Sequence, residues 1–245
     1  MLAGAVAALC LCGPAAAAAV PDTLEERVQP CTACHGREGR ATNQGFLPRI
    51  AGKPAGYLFN QLRNFRDGRR ENLRMAALVA HLDDAYLQEI AGHFAALDLP
   101  YPPPQPTALA ADELARGRRL VLQGEAARGL PACAACHGTA LTGVAPALPG
   151  LLGLPRDYLV GQLGAWRAGL RHAAAPDCMA RIAERLSAAD IAAIAGWLAA
   201  QPLPGQAHPV AALSAPLPIA CGSVPAGPER PVAPGTPGPG GGARP

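Results

Sequence analysis

Aromatic side chains are scarce in this chain. Four Phe, four Tyr and two Trp make up only 4% of its 245 residues. A core with so few rings is thin, and a bulky apolar cofactor would supply the missing volume. Charge is also sparse, at 16% of residues, and the net value is only +3. Residues 20–100 carry ten Lys/Arg against ten Asp/Glu, and residues 101–202 carry nine against seven. No basic stripe is present to follow a phosphate backbone, so nucleic acid is excluded as a partner. No segment keeps up the alternation of a β-strand, which excludes a sheet-based fold. Beyond the N-terminus, no apolar stretch is long enough to span a bilayer. Methionine is scarce as well, with Met1, Met75 and Met179 alone.

The N-terminal "MLAGAVAALCLCGPAAAAAVPD" lacks the usual leading Lys/Arg but is otherwise apolar, ends in small residues and runs into Pro and Asp. Residues 1–19 read as a signal peptide, which places the rest outside the cytoplasm, in the periplasm. The remainder of the chain carries a duplication. "YLFNQLRNFRDG" (57–68) matches "YLVGQLGAWRAG" (158–169), "LPRIAGKP" (47–54) matches "LPGLLGLP" (148–155), and "MAALVAHLDDAYLQEIAG" (75–92) matches "MARIAERLSAADIAAIAG" (179–196). The reading is an N-terminal domain over 20–98, a Pro-rich linker over 99–111, a C-terminal domain over 112–202, and a Pro/Gly-rich tail over 203–245 expected to be disordered. Helical periodicity is clear at Leu58, Leu62 and Phe65, at Leu87, Ile90, Ala91 and Phe94, and at Ile191, Ile194 and Leu198. Thr23-x-x-Glu26 and Ser187-x-x-Asp190 have the form of capping boxes. The fold class expected is all-α.

Each half contains one Cys-x-x-Cys-His-Gly motif, at 31–36 and 133–138. A thioredoxin-like redox pair would need a strand before the first cysteine. A zinc site built from two Cys-x-x-Cys pairs needs no histidine directly after either one. A disulfide across two residues would constrain little chain. Covalent haem attachment uses both cysteines and the histidine. Cys31 and Cys34, or Cys133 and Cys136, add to the porphyrin vinyl groups, and His35 or His137 ligates the iron through an imidazole nitrogen. Gly36 and Gly138 let the chain turn away beside the ring. Two haem c groups are therefore expected.

Met75 and Met179 occupy the same position in each repeat, as a second axial ligand would, whereas a random core filler need not recur there. His81, His93 and His172 have no histidine counterpart in the other half and read as surface or packing residues. His208 lies in the tail.

On these motifs the sequence resembles the dihaem cytochrome c4 family, with residues 23–202 carrying the likeness. The resemblance implies two tandem class I cytochrome c domains with haems close enough to exchange electrons. It implies that the carbonyls of Pro48 and Pro149 accept a hydrogen bond from the ligand histidines. Arg66 and Arg167 are candidates for pairing with the haem propionates, and Tyr57 and Tyr158 for packing and propionate contact. Cys178 beside Met179 departs from the pattern. A disulfide to Cys221, ligation of iron and simple burial all remain open for it.

Iron with both axial positions filled has no site for a substrate and changes oxidation state with little change of geometry. The function expected is that of an electron carrier, not an enzyme. It would link a respiratory donor to an acceptor such as a terminal oxidase or other membrane respiratory complex, with peripheral membrane association left open. A cytochrome subunit of a dehydrogenase complex is the alternative. A dihaem peroxidase is disfavoured by the two matched methionines.

Overall fold

The structure is a computed structural model that describes residues 21–41, 45–205 and 207–225. The signal-peptide reading at 1–19 lies outside these residues. The N-terminal half contains α1 (Leu24–Arg27), α2 (Gln29–His35), α3 (Ala55–Arg66), α4 (Leu73–Val79) and α5 (Asp84–Ala96). The C-terminal half contains α6 (Ala111–Leu122), α7 (Cys133–His137), α8 (Arg156–Arg167), α9 (Cys178–Ala183) and α10 (Ala188–Ala199). A two-residue hairpin, β1 (Gly143–Val144) with β2 (Leu148–Pro149), is antiparallel and minor. The chain is all-α, as its periodicity indicated.

Thr23 caps α1, but the helix stops at Val28 and α2 restarts with Pro30 in its first turn. Proline lacks the amide that a continuous helix would use there. Ser187 and Asp190 form a reciprocal capping box on α10. In the N-terminal half α3 packs on α5, and in the C-terminal half α10 packs on both α6 and α8. The cores follow the expected stripes, with Leu58, Ile90, Ala91 and Phe94 in one half and Ile191, Ile194 and Leu198 in the other, where Leu120 and Val121 of α6 join them. Asp190 is fully buried under the second of these, where Arg116, Arg128 and Ser187 surround its carboxylate.

The halves meet along a seam with approximate two-fold symmetry. Glu71 N donates to Leu170 O at 2.9 Å and His172 N to Arg69 O at 2.6 Å. Gln61 Oε1 accepts from Arg70 at 2.9 Å and from Arg171 at 2.9 Å, while Gln162 Oε1 accepts from each at 2.6 Å. The linker runs extended across both halves. Arg49 donates to the carbonyls of Leu99 and Pro100, and Gln105 N donates to Ala199 O at 2.8 Å.

The tail differs from expectation. Residues 207–225 are placed against the protein, tied by a disulfide between Cys178 and Cys221 and by a bridge from Val210 to Val144. One covalent tie and one strand pairing hold a composition that could not build its own core. The expected disorder is therefore corrected for this part, and residues 226–245 lie outside the described set.

Candidate functional site: a shared chamber with two matched ligand sets

One cavity of about 600 Å³ runs between the halves. Cys31, Cys34, His35, Met75, Cys133, Cys136, His137 and Met179 all line it. In α2 and α7 a single helical turn holds the two thiols and the imidazole of each motif. Gly36 and Gly138 end these turns at φ +76° and +83°, a region that side-chain-bearing residues seldom adopt.

Both imidazoles are oriented by a backbone carbonyl. His35 Nδ1 lies 2.8 Å from Pro48 O, and His137 Nδ1 lies 2.8 Å from Pro149 O. Each bond makes Nδ1 the donor and leaves the Nε2 lone pair free for a metal. Burial pushes the pKa of His35 down, against the pull of the Pro48 bond, and burial does the same for His137. Both shifts favour the neutral imidazole, the form that can ligate a metal.

The thiols behave unlike a redox pair. Burial pushes Cys133 up to about 12 and raises Cys31 and Cys136. Thiolate chemistry requires the opposite shift. Nor do the two motifs converge: among the described residues no three His, Cys, Asp or Glu side chains come close enough to share a metal ion. Met75 and Met179 sit in the first turns of α4 and α9, behind Asn72 and Asp177 as caps. His81, His93, His172 and His208 do not line the cavity.

The cavity walls fit haem in a second respect. Arg49, Lys53, Arg70 and Arg171 are 2%, 4%, 8% and 4% exposed and line the cavity. None of them forms an ion pair among the described residues. Burial, with Arg49 adding repulsion, lowers Lys53 to about 7. Trp166 also lines the cavity with a buried Nε1–H that has no acceptor among the described residues, and Arg171 stacks on its ring at 3.8 Å. Buried cations and an orphaned donor call for carboxylates. Two porphyrins bring four.

The arginines expected at this position are corrected. Arg66 is bound to Asp67 at 3.0 Å and to Asp84 at 2.8 Å on the surface, Arg167 is exposed, and neither lines the cavity. Arg70 and Arg171, four residues further on, take that place. Both are arginine two residues after the shared glycine of the repeat, but Arg66 and Arg167 are matched as well, so the repeat alone does not choose between the pairs. Tyr57 and Tyr158 do line the cavity, and Tyr158 Oη accepts from Arg70 at 3.0 Å. Cys178 is disulfide-bonded, which removes it as an iron ligand.

Two helical domains of one pattern, each bringing Cys-x-x-Cys-His and a methionine to a shared apolar chamber, define a dihaem c-type cytochrome. No family model matches the chain. Known relatives do. It is 39% identical over 197 residues to a "Thiosulfate dehydrogenase electron acceptor" of Thiomonas intermedia, across 80% of this chain and 88% of that protein. It is 34% identical over 190 residues to cytochrome c4 of Pseudomonas aeruginosa, across 77% and 92%. The structure of reduced recombinant cytochrome c4 from Pseudomonas stutzeri superposes with a TM-score of 0.61 at 27% identity, across 72% of this chain and 95% of that one. The chain belongs to the dihaem cytochrome c4 family, and it is an electron-transfer protein with two haem c groups.

Proposed function

We propose that this protein is a periplasmic carrier of single electrons, and that its donor is a sulfur-compound dehydrogenase of the thiosulfate-oxidising kind. The name of the relative from Thiomonas intermedia supports the donor class. A terminal oxidase is the acceptor that suits a carrier of this family. The cytochrome subunit of a dehydrogenase complex is thereby the same reading with a longer-lived contact, and docking by near-neutral halves favours the transient form.

Covalently held haem supplies the one-electron chemistry. The residues do the rest. Cys31 and Cys34 hold one group by thioether bonds, and Cys133 and Cys136 hold the other. His35 and His137 would ligate the iron through Nε2, and Met75 and Met179 would supply the second ligand of each. The soft thioether favours Fe(II) and raises the potential. Arg70, Arg171, Arg49 and Lys53 would offset the charge of the haem carboxylates, and Trp166 Nε1–H would donate to one. No helix among the described residues is long and apolar enough to cross a membrane.

The observation that carries this reading is the meeting of all eight expected side chains on one chamber. The test is the visible spectrum of the ascorbate-reduced protein before and after carbon monoxide. A c-type spectrum untouched by the gas is expected. A shift in the native protein would mean a labile iron and would return the peroxidase reading.

A further inference from the structure

The cover of the chamber is unequal. Leu217, Ile219, Cys221, Ser223 and Val224 of the tail line it. Residues 207–225 are held at several points. Val210 pairs with β1, with Ala145 N donating to Val210 O at 2.8 Å and Val210 N to Gly143 O at 3.0 Å. Gly222 N donates to Pro176 O at 3.0 Å, and a Cβ at Gly222 would lie 2.0 Å from Ala175 O, so this contact admits no side chain. Asn60 Nδ2, on α3 of the N-terminal half, donates to Ser223 O at 3.0 Å. The tail thus crosses the chamber from one half to the other. Its covalent anchor, Cys178, is the residue directly before Met179 and the first residue of α9.

Among the described residues, the N-terminal half has nothing equivalent. Arg74 stands before Met75, no tail covers α4, and Leu73 and Leu78 on that helix are 91% and 46% exposed. The same ligand set is therefore tied down on one side only.

We propose that residues 207–224 form a strap, releasable by thiol–disulfide exchange, that holds Met179 in place and closes the second haem site. The bond between Cys178 and Cys221 joins the ligand's helix to the strap. A dithiol reductant breaks it by attack of one thiolate on a sulfur of the pair, and the second thiol of the reductant resolves the mixed disulfide. Two electrons and two protons pass to Cys178 and Cys221, and the reductant leaves as its own disulfide. Without the tie, the strap retains its few backbone bonds, the Asn60 bond to Ser223 O and the wall contacts of Leu217, Ile219 and Val224, none of them covalent. The Met179 helix then gains freedom that the Met75 helix does not, and the second iron opens to external ligands.

This inference rests on the haem and ligand assignment proposed above, and the native protein serves as its control. Ascorbate-reduced native protein is treated with carbon monoxide with and without a phosphine reductant, and Cys221→Ser is treated with the gas alone. Thiol alkylation reports whether the disulfide is broken, and trypsin cleavage after Arg181 reports loosening of α9. The expected result is no binding in the native protein. One carbon monoxide per chain binds in the reduced protein and in Cys221→Ser, with cleavage at Arg181 faster by tenfold or more. Broken disulfide with no gas binding and unchanged cleavage overturns the strap while leaving the ligand assignment standing. Gas binding by the native protein overturns the ligand assignment itself. Phosphine treatment of native protein keeps the test valid should Cys221→Ser fail to fold.

Discussion

Gly117→Ala sets two effects of opposite sign against each other. Alanine is favoured over glycine within a helix by about 1 kcal/mol, so propensity alone predicts that α6 gains stability. The packing predicts the reverse. A Cβ at Gly117 would lie 2.2 Å from Ala193 O, 2.7 Å from its carbonyl carbon and 2.9 Å from Trp197 Cβ, all on α10. Ordinary carbon–oxygen contact is about 3.3 Å, so the helices must part by roughly 1 Å. The nearest atoms are backbone and cannot rotate away. Overpacking of this kind costs about 1–3 kcal/mol and occasionally more, and a backbone clash belongs at the upper end. The net loss expected is about 2 kcal/mol, or roughly 10 °C in the melting temperature of a half this size. The damage should reach function as well, because Ile194 and Leu198 of α10 line the chamber. Thermal unfolding followed by helical circular dichroism and by haem absorbance reads both consequences. The second haem should change its ligand-sensitive absorption before the first. A melting temperature that is unchanged or raised would refute the steric argument and leave propensity as the controlling effect.

Two further perturbations test other parts of the structure. Burial alone would raise the pKa of Asp190, but the Ser187 amide, Arg128 and Arg116 outweigh it and hold the carboxyl far below its usual range. A carboxylate so lowered adds stability that is present above its unfolded value, about 3.9, and is lost as pH falls towards the folded value. Asp190→Asn should therefore cost about 3 kcal/mol at neutral pH. In denaturant titrations its deficit should shrink as pH falls below about 4, and a deficit constant with pH would refute the ionic reading. Arg70→Gln and Arg171→Gln each remove a buried cation from the seam, which disfavours the reduced state. At an effective dielectric of about 20 and a separation of about 10 Å, the potential should fall by on the order of 50 mV. Spectroelectrochemical titration that found both haems unmoved would remove these arginines from the site.

The haem attachment motifs were legible in the sequence because their chemistry is local. One helical turn carries both cysteines and the histidine, and the repeat paired Met75 with Met179 without any knowledge of their surroundings. The seam was not legible for the opposite reason. Arg66 and Arg70 look alike as letters, and only packing separates a guanidinium held by Asp67 and Asp84 from one buried without a carboxylate. Trp166 was visible as an aromatic position, but its unpartnered Nε1–H is a property of the fold. The tail failed for a third reason. Composition decides whether a segment can form its own core, and it says nothing about a segment held by another core through Cys221 and Val210.

The two halves keep the same proposed ligand set but not the same walls, and electrostatics accounts for part of the divergence. Arg49 and Lys53 align with Gly150 and Leu154 in the repeat. Lys53 reaches across to the second half, where its Nζ donates to Gly150 O at 3.2 Å. A faithful duplication would bring two more cations into the same seam. Lys53 is already lowered to about 7 by burial and by Arg49, so additional charge there would leave it largely neutral at physiological pH. One half therefore supplies these cations, and the other supplies apolar wall and the strap. Neither half alone closes a chamber: the first would expose Lys53, Arg70 and its apolar side, and the second would leave Arg171 and Trp166 without the residues opposite them. The duplicated domains form one electron-transfer unit because the groups that surround the haems are shared out between them.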